Sequence, residues 1–195
     1  MDSDTPFCMK VGKMDRTHLL KTNRLLLRPI IPADVEHLWP YVSDPDISRY
    51  MSWNPHQDKG ETKAFVGRII NDMKDQKSYT WAIIFEDNFS GIISLIGILR
   101  KYRALTYNRA ELAYWLGKRF QHKGIMTEAG KKIIEFAFQE LGIHRLVVSH
   151  VSQNDASKRL IQRWKFTYIG TEREAFSKNG QWFDHHLYEL LENDL

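Results

Sequence analysis

The sequence predicts a single α/β domain, of the α+β type, with a mixed sheet of about seven strands flanked by about four helices. Strands and helices follow one another irregularly along the chain, which is typical of a mixed sheet. Residues 110–116, 127–141 and 145–151 read as strand, helix and strand, so the two strands should lie parallel and near each other. Asn179-Gly180 is a strong signal for a tight hairpin between the two final strands.

The composition is that of an ordinary globular protein with a preference for acidic ligands. The 195 residues fit one domain, with 43% hydrophobic and 27% charged residues. The net charge of +4 and the pI of about 9.1 favour ligands such as phosphates. No block of basic residues alternates with aromatic residues as a nucleic-acid groove requires, so direct nucleic-acid binding is not expected.

Several features indicate a cytoplasmic protein. Cys8 is the only cysteine, which excludes an internal disulfide and a cysteine-based zinc site and fits a reducing compartment. No apolar run is long enough to span a membrane, and no membrane association is expected. Residues 1–20 read as a loose N-terminal arm without a signal peptide, and residues 21–195 as the folded domain. The scattered histidines predict no metal site.

The remaining elements follow from periodicity and from chain breaks. Further strands are expected at residues 24–28, 79–85 and 92–99, with a turn at 86–91 and a polar, turn-like segment at 100–108. Further helices are expected from Pro32 to Val42, from Glu61 to Met73, and from Asn154 or Asp155 to about Trp164.

One loop combines positive charge with a glycine at the start of a helix. Residues 117–126 carry two lysines and an arginine, and Gly124 stands near the end of the loop. The free N–H groups and the dipole of a helix N-terminus attract an anion, and a glycine lets a phosphate approach the backbone closely. On spacing alone, however, a solvated loop with a turn glycine is the simpler interpretation.

Four segments occur in an order and at spacings that match a known family. They are Thr22–Arg28; Ala110–Leu116 followed by Gln121–Gly124; Asn154–Lys158 with Trp164–Phe166; and Gly180–His185. The first is similar to an opening strand, the second to a coenzyme A motif and the last to a closing hairpin. Through them the sequence from residue 20 to residue 192 resembles the GNAT superfamily, and within it the RimJ/RimL-like branch that acetylates protein N-termini.

The resemblance implies a mainly antiparallel sheet that is splayed between its fourth and fifth strands, residues 110–116 and 145–151. Acetyl-CoA would lie in that gap as the donor substrate, without a metal. Its pyrophosphate would bind the N–H groups of residues 121–126, and its pantetheine would follow the edge of residues 114–116. The implied binding residues are Tyr114, Trp115, Leu116, Gln121, His122, Lys123, Gly124, Ile125, Met126, Thr127, Asn154 and Ser157.

The sequence departs from the family pattern at two positions. Met126 stands where most members have a small residue, and it would narrow the approach to the phosphates. Ile161 stands where many members carry the tyrosine that protonates the leaving thiolate. A proton donor must therefore come from elsewhere in the chain.

Two residues are candidates for the catalytic roles. Glu111 is the candidate base, because some histone-acetylating relatives carry a catalytic glutamate on this strand; pairing with Arg109 or Arg145 is the structural alternative. Ser157 is the candidate acid or thiolate partner, because RimL-like enzymes are thought to use a serine there. Its structural alternative is a helix cap.

The predicted reaction is the transfer of an acetyl group from acetyl-CoA to a primary amine. The leading acceptor is a protein N-terminal α-amine of the ribosomal-protein type, which attacks directly through a tetrahedral intermediate. The alternatives are a polyamine, an amino sugar or another small amine, and a non-catalytic CoA-binding module. Three aromatic residues have two interpretations: either they line an acceptor pocket or they belong to the core. They are Tyr50, Trp53 and Trp115. The protein is expected to be a monomer or a homodimer.

Overall fold

The computed structural model describes residues 18–194, which fold around one eight-stranded sheet. The strands are β1 (Leu20–Lys21), β2 (Leu25–Pro29), β3 (Tyr79–Phe85), β4 (Asn88–Tyr102), β5 (Leu105–Leu116), β6 (Arg145–Val151), β7 (Thr167–Lys178) and β8 (Gln181–Leu191). They lie in the order β1-β2-β3-β4-β5-β6-β8-β7. Every pair is antiparallel except β5 with β6, which the crossover makes parallel.

Within residues 18–194, five α-helices cover the two faces of this sheet. They are α1 (Val35–Val42), α2 (Pro45–Ser48), α3 (Lys59–Lys74), α4 (Ile125–Gln139) and α5 (Asp155–Arg163). The α4 and α5 side holds the larger core, in which Ile133 and Ile161 are fully buried. The α1, α2 and α3 side holds a second core around Leu38 and Trp115. The expected α/β domain with a mixed, mainly antiparallel sheet is confirmed.

The predicted splay lies between β5 and β6. The two strands pair from Arg109 with Arg145 to Glu111 with Val147, and β5 then continues to Leu116 without this partner. β6 is paired with β8 on its other side over its whole length, from Arg145 with Leu191 to Val151 with His185. A gap therefore opens between two neighbouring parallel strands, and the backbone of the last residues of β5 faces it.

The segment predicted as a turn at residues 100–108 is instead an extension of two strands. β4 runs to Tyr102 and β5 begins at Leu105, with the tight turn near Arg103, whose φ is 54°. This end of the hairpin is exposed on both faces, so its sequence lacks the alternation that marks a half-buried strand. The turn predicted at residues 86–91 is also shorter, since Glu86 and Asp87 alone form the hairpin loop.

Two short elements account for the remaining differences. β1 has two residues and α2 has four, which raises the numbers of strands and helices above those predicted. Helix α4 begins at Ile125, two residues before the expected start. Most of the predicted arm, together with Cys8, lies outside the described residues, but Leu20 pairs with Leu27 of β2. Within residues 18–194 no helix is both long and apolar enough to cross a membrane.

Candidate active site

A cavity of about 500 Å³ occupies the gap between β5 and the helix that follows β6. Its walls come from the end of β5, the loop before α4, the first turn of α4, helix α5 and the segment that begins with α2. Among the predicted coenzyme-binding residues, the lining contains Tyr114, Trp115, Leu116, Gln121, His122, Gly124, Ile125, Met126, Thr127, Asn154 and Ser157. Tyr114 and Ser157, which are 43 positions apart in the sequence, are thus brought to one site.

The N-terminus of α4 lines the cavity and has the geometry of an anion-binding site. Gly124 is its N-cap residue with φ of 74°, and no side chain caps the helix there. The first N–H groups therefore have no side-chain partner, which is the arrangement that binds phosphate oxygens. A Cβ atom at Gly124 would approach only the guanidinium of Arg24, at 3.5 Å, so the ligand side is open. The site fits a pyrophosphate on these grounds.

Hydrogen bonds from residues just before β2 hold this loop in place. Glu128 accepts hydrogen bonds from Thr22 Oγ1 at 2.5 Å and from Arg24 Nε at 2.7 Å, and Arg24 Nη1 donates to the Lys123 carbonyl at 3.2 Å. Burial acts to raise the pKa of Glu128, but the bonds from Thr22 and Arg24 outweigh it and lower that pKa. The charge of Glu128 near the phosphate site is therefore compensated.

Lys123 is the one predicted coenzyme-binding residue that does not line the cavity. Its ammonium nitrogen lies 6.0 Å from the centre of the Phe120 ring. Two arginines that the sequence reasoning missed, Arg159 and Arg163, line the cavity from α5 instead. They lie four residues apart on one helix, and that spacing was the available signal.

Lys118 adds a further positive charge at the cavity and is already paired. It bonds to Asp46 and lies 3.4 Å from Asp44, both at the start of α2. The hydrogen bond with Asp46 raises the pKa of Lys118. This contact connects the loop after β5 to the α2 segment across the cavity mouth.

Tyr114 and Ser157 form a hydroxyl pair in the cavity. Tyr114 Oη lies 2.7 Å from Ser157 Oγ, and burial raises the pKa of the phenol well above its ordinary value. The Asn154 side chain caps α5 by accepting from the Ser157 backbone N–H at 3.1 Å. The Ser157 hydroxyl is thus bonded to Tyr114 and does not serve as the cap.

Trp164 holds the hydroxyl pair in place. Its ring packs edge-on against Tyr114 with centroids 5.0 Å apart, and its Nε1 donates to the Thr127 carbonyl at 3.2 Å. The ring lies so close to α4 that a Cβ atom on Gly130 would stand 2.0 Å from it. Helices α4 and α5 therefore meet closely because Gly130 has no side chain.

The two departures from the family pattern are both buried. Ile161 is fully buried and offers no proton, while Met126 is 6% exposed and packs in the larger core although it also lines the cavity. Ser157 lies four residues before Ile161 on the same helix, and its hydroxyl is bonded to that of Tyr114.

Glu111 lies on the opposite face of β5 from Tyr114, three residues away along the strand. Burial raises its pKa, although the charge of Arg109 and a hydrogen bond with Ser149 act against that shift. The alternative partner Arg145 is engaged by Glu189 at 2.7 Å. Glu111 does not line the cavity but stands where β5 and β6 begin to separate.

A gap between parallel strands that ends at an uncapped helix N-terminus is the arrangement of a protein that binds a phosphate-bearing ligand. Residues 24–167 match the Acetyltransferase (GNAT) domain family. The chain belongs to this family, and within it to the RimJ/RimL-like branch, as the sequence resemblance predicts. It is an acyltransferase, an acetyl-CoA-dependent N-acetyltransferase.

Relatives align over nearly the full length of the chain. The putative ribosomal N-acetyltransferase YdaF of Bacillus subtilis is 31% identical over 176 residues, which is 87% of this chain and 92% of YdaF. The ribosomal protein uS5-alanine N-acetyltransferase of Escherichia coli is 27% identical over 182 residues, 90% of this chain and 91% of that enzyme. RimL, the ribosomal L7/L12 α-N-protein acetyltransferase solved with coenzyme A, shares the fold with a TM-score of 0.82 at 22% identity, covering 90% of this chain and 98% of RimL.

Residues 18–194 contain no group of three or more His, Cys, Asp or Glu side chains that is placed to hold a metal ion.

Proposed function

We propose that this protein acetylates the N-terminal α-amine of a protein, with a ribosomal protein as the acceptor. The observation that carries the proposal is the cavity itself, which contains both the N-terminus of α4, here called the phosphate cradle, and the Tyr114–Ser157 hydroxyl pair. The names of two aligned relatives support the choice of acceptor. Such an acceptor would put the reaction in the cytoplasm.

The donor is proposed to lie along the cavity with its phosphates at α4. The N–H groups of residues 121–126 would hold the pyrophosphate, and Arg159 and Arg163 would face the remaining phosphate. The pantetheine would follow the edge of β5 at Tyr114 to Leu116, where β6 no longer pairs. This orientation brings the sulfur toward Ser157.

An α-amine suits the weak base that this site offers. Its pKa is about 7.7–8.0, so roughly a tenth is neutral near pH 7 before any catalyst acts, whereas a lysine or polyamine amine near 10.4 is far less ready. Glu111, whose pKa is raised by burial, would take the remaining proton through a water molecule. A backbone N–H on the unpaired edge of β5 would stabilise the oxyanion.

Ser157 is proposed to hydrogen-bond the departing thiolate. Because burial raises the pKa of Tyr114, the phenol stays protonated at neutral pH and can donate to Ser157 Oγ. The Ser157 hydroxyl then has its own proton available for the sulfur. In the complete reaction the N–C bond forms, the C–S bond breaks and Glu111 takes the amine proton through water. Ser157 Oγ gives its proton to the thiolate and regains one from the solvent, to which Glu111 returns the amine proton.

The experiment follows free thiol after the protein is mixed with acetyl-CoA and an acceptor. The acceptors are peptides that begin with Ser, Ala or Thr, the same peptides with a blocked N-terminus, spermidine and an amino sugar. Turnover with the free peptides and none with the blocked ones supports the proposal. Turnover only with spermidine or the amino sugar would overturn the proposed protein acceptor, while the protein would still be an acetyltransferase.

The non-catalytic alternative has its own signature. A CoA-binding module would bind CoA tightly while wild type and Glu111→Gln both gave the same near-zero acetylation with every acceptor. A measurable rate in wild type that falls in Glu111→Gln excludes it.

A further inference from the structure

We infer that Lys178 is a positioning residue that fixes the acceptor-side wall of the cavity. Lys178 is the last residue of β7, directly before the Asn179-Gly180 turn. Its ammonium nitrogen donates to three backbone carbonyls: Ser48 at 2.6 Å, Met51 at 2.9 Å and Trp53 at 2.9 Å. The tip of the final hairpin is thus tied to a segment 125 to 130 residues earlier in the chain.

These three bonds use the whole donor capacity of an ammonium group. A lysine has three N–H donors and no acceptor, and each of them here has a carbonyl partner. Ser48 ends helix α2, and residues 49–53 form neither helix nor strand, so few repeating backbone bonds hold this segment. Burial lowers the pKa of Lys178, which agrees with a charge withdrawn from water at the contact.

The tied segment is part of the cavity wall. Ile47, Tyr50 and Met51 line the cavity, and Met51 also supplies one of the carbonyls that Lys178 holds. The donor-binding residues come from the other walls, on α4, α5 and the end of β5. The segment at residues 47–53 therefore borders the side of the cavity that the donor phosphates do not use.

In this proposal the acceptor amine approaches from that side, because α4 and α5 pack over the opposite face of the sheet. Loss of the three bonds would release residues 48–53 and change the width of the acceptor entrance while leaving the phosphate cradle intact. The role of Lys178 depends on the proposed function only in one respect, which is the acceptor whose KM is measured.

Charge alone does not reproduce this contact. A guanidinium is planar and directs its donors as a fork, so Arg at this position cannot converge on three carbonyls as an ammonium does. Methionine keeps much of the length of the side chain but removes the charge and all three donors. Lys178→Arg and Lys178→Met therefore separate the geometry of the contact from its charge.

The test compares Lys178→Met and Lys178→Arg with Lys101→Met, in which an exposed lysine on β4 is changed. Three quantities are measured: amide hydrogen exchange in residues 48–53, the affinity for CoA, and kcat and KM for each acceptor that wild type acetylates. For Lys178→Met we expect faster exchange confined to this segment, an acceptor KM about tenfold higher, and CoA affinity within about twofold of wild type. Lys178→Arg should show the same pattern, and Lys101→Met should match wild type.

Unchanged exchange in residues 48–53 in Lys178→Met would overturn the inference, as would an equal loss of CoA affinity and acceptor binding. If wild type acetylates spermidine but no peptide, the proposed acceptor fails while the inference is still tested by the spermidine KM. If wild type acetylates nothing, the exchange of residues 48–53 and the CoA affinity decide it.

Discussion

Tyr114 Oη lies 2.7 Å from Ser157 Oγ, and this bond connects strand β5 to helix α5 across the gap in the sheet. β5 has no strand partner on this side beyond Glu111, so the two hydroxyls join the walls of the cavity where the strands do not. Ser157 also lies four residues before the fully buried Ile161 on α5, and Ile161 offers no proton. One hydrogen bond therefore has a structural and a proposed chemical role.

Removal of the hydroxyls should slow the reaction without loss of donor binding. We expect Ser157→Ala to lower kcat by about 10²-fold and Tyr114→Phe by about tenfold, since a positioned acid contributes about 10²–10⁴. The affinity for CoA, measured by calorimetry, should change little. Ser152→Ala is the matched control, because the Ser152 hydroxyl bonds to Gln153 instead. A normal kcat in Ser157→Ala would remove the proposed acid.

Glu111→Gln should increase stability at neutral pH while it lowers activity. Burial raises the folded-state pKa of Glu111, so the folded protein holds this proton more tightly than the unfolded chain. That contribution is present below the ordinary carboxyl pKa and is lost as pH rises through the raised value. The ionised carboxylate therefore destabilises the fold near pH 7, and glutamine removes this penalty.

The measurement is the melting temperature of both proteins between pH 5 and pH 8. We expect Glu111→Gln to melt higher than wild type at pH 8, with a difference that shrinks toward pH 5. Its acetylation rate should fall by about 10²-fold. If the melting temperature of Glu111→Gln minus that of wild type instead increases as the pH falls, ion pairing with Arg109 outweighs burial.

Gly124→Ala should weaken donor binding beyond its effect on stability. The residue has φ of 74°, in the left-handed region, where alanine costs about 1–2 kcal/mol. Gly142 has φ of 58°, and nothing lies within 4 Å of the place that a Cβ atom would take, so Gly142→Ala carries similar backbone strain away from the cavity. Both variants should lose similar stability in urea unfolding, and Gly124→Ala alone should bind CoA about tenfold more weakly. Equal CoA affinity in both would contradict the phosphate cradle.

Gly130→Ala should disturb the contact between α4 and α5. The added methyl would stand 2.0 Å from the Trp164 ring, and overpacking costs about 1–3 kcal/mol. A displaced Trp164 would also disturb Tyr114, so kcat should fall together with stability. Gly67→Ala is the control, because nothing lies within 4 Å of that position on α3 and the helix should gain up to about 1 kcal/mol. Similar stability changes in the two variants would count against the close packing.

Local sequence signals predicted most of the fold. The alternation and apolar runs of residues 79–85 and 145–151 indicated both strands at the bounds that the structure has. Asn179 and Gly180 both have positive φ, which is the reason that this dipeptide marks a two-residue hairpin. By contrast, residues 100–108 are exposed on both faces, and no alternation distinguishes such a strand extension from a loop.

The candidate site was predictable in its donor part and much less so elsewhere. The cradle at residues 121–126 is continuous in sequence, so charge, glycine and helix start could be read together. The bond of Tyr114 to Ser157 joins residues 43 positions apart and depends on how the strands diverge. The contacts of Lys178 span more than 120 residues and involve backbone carbonyls, which leave no mark on the sequence.

The most direct test of the whole account is a crystal structure of the protein with bound CoA. We predict the pyrophosphate on the N–H groups at the start of α4, and the sulfur within hydrogen-bond distance of Ser157 Oγ. CoA bound outside the gap between β5 and β6, or in the gap with its sulfur directed away from Ser157, would contradict the account.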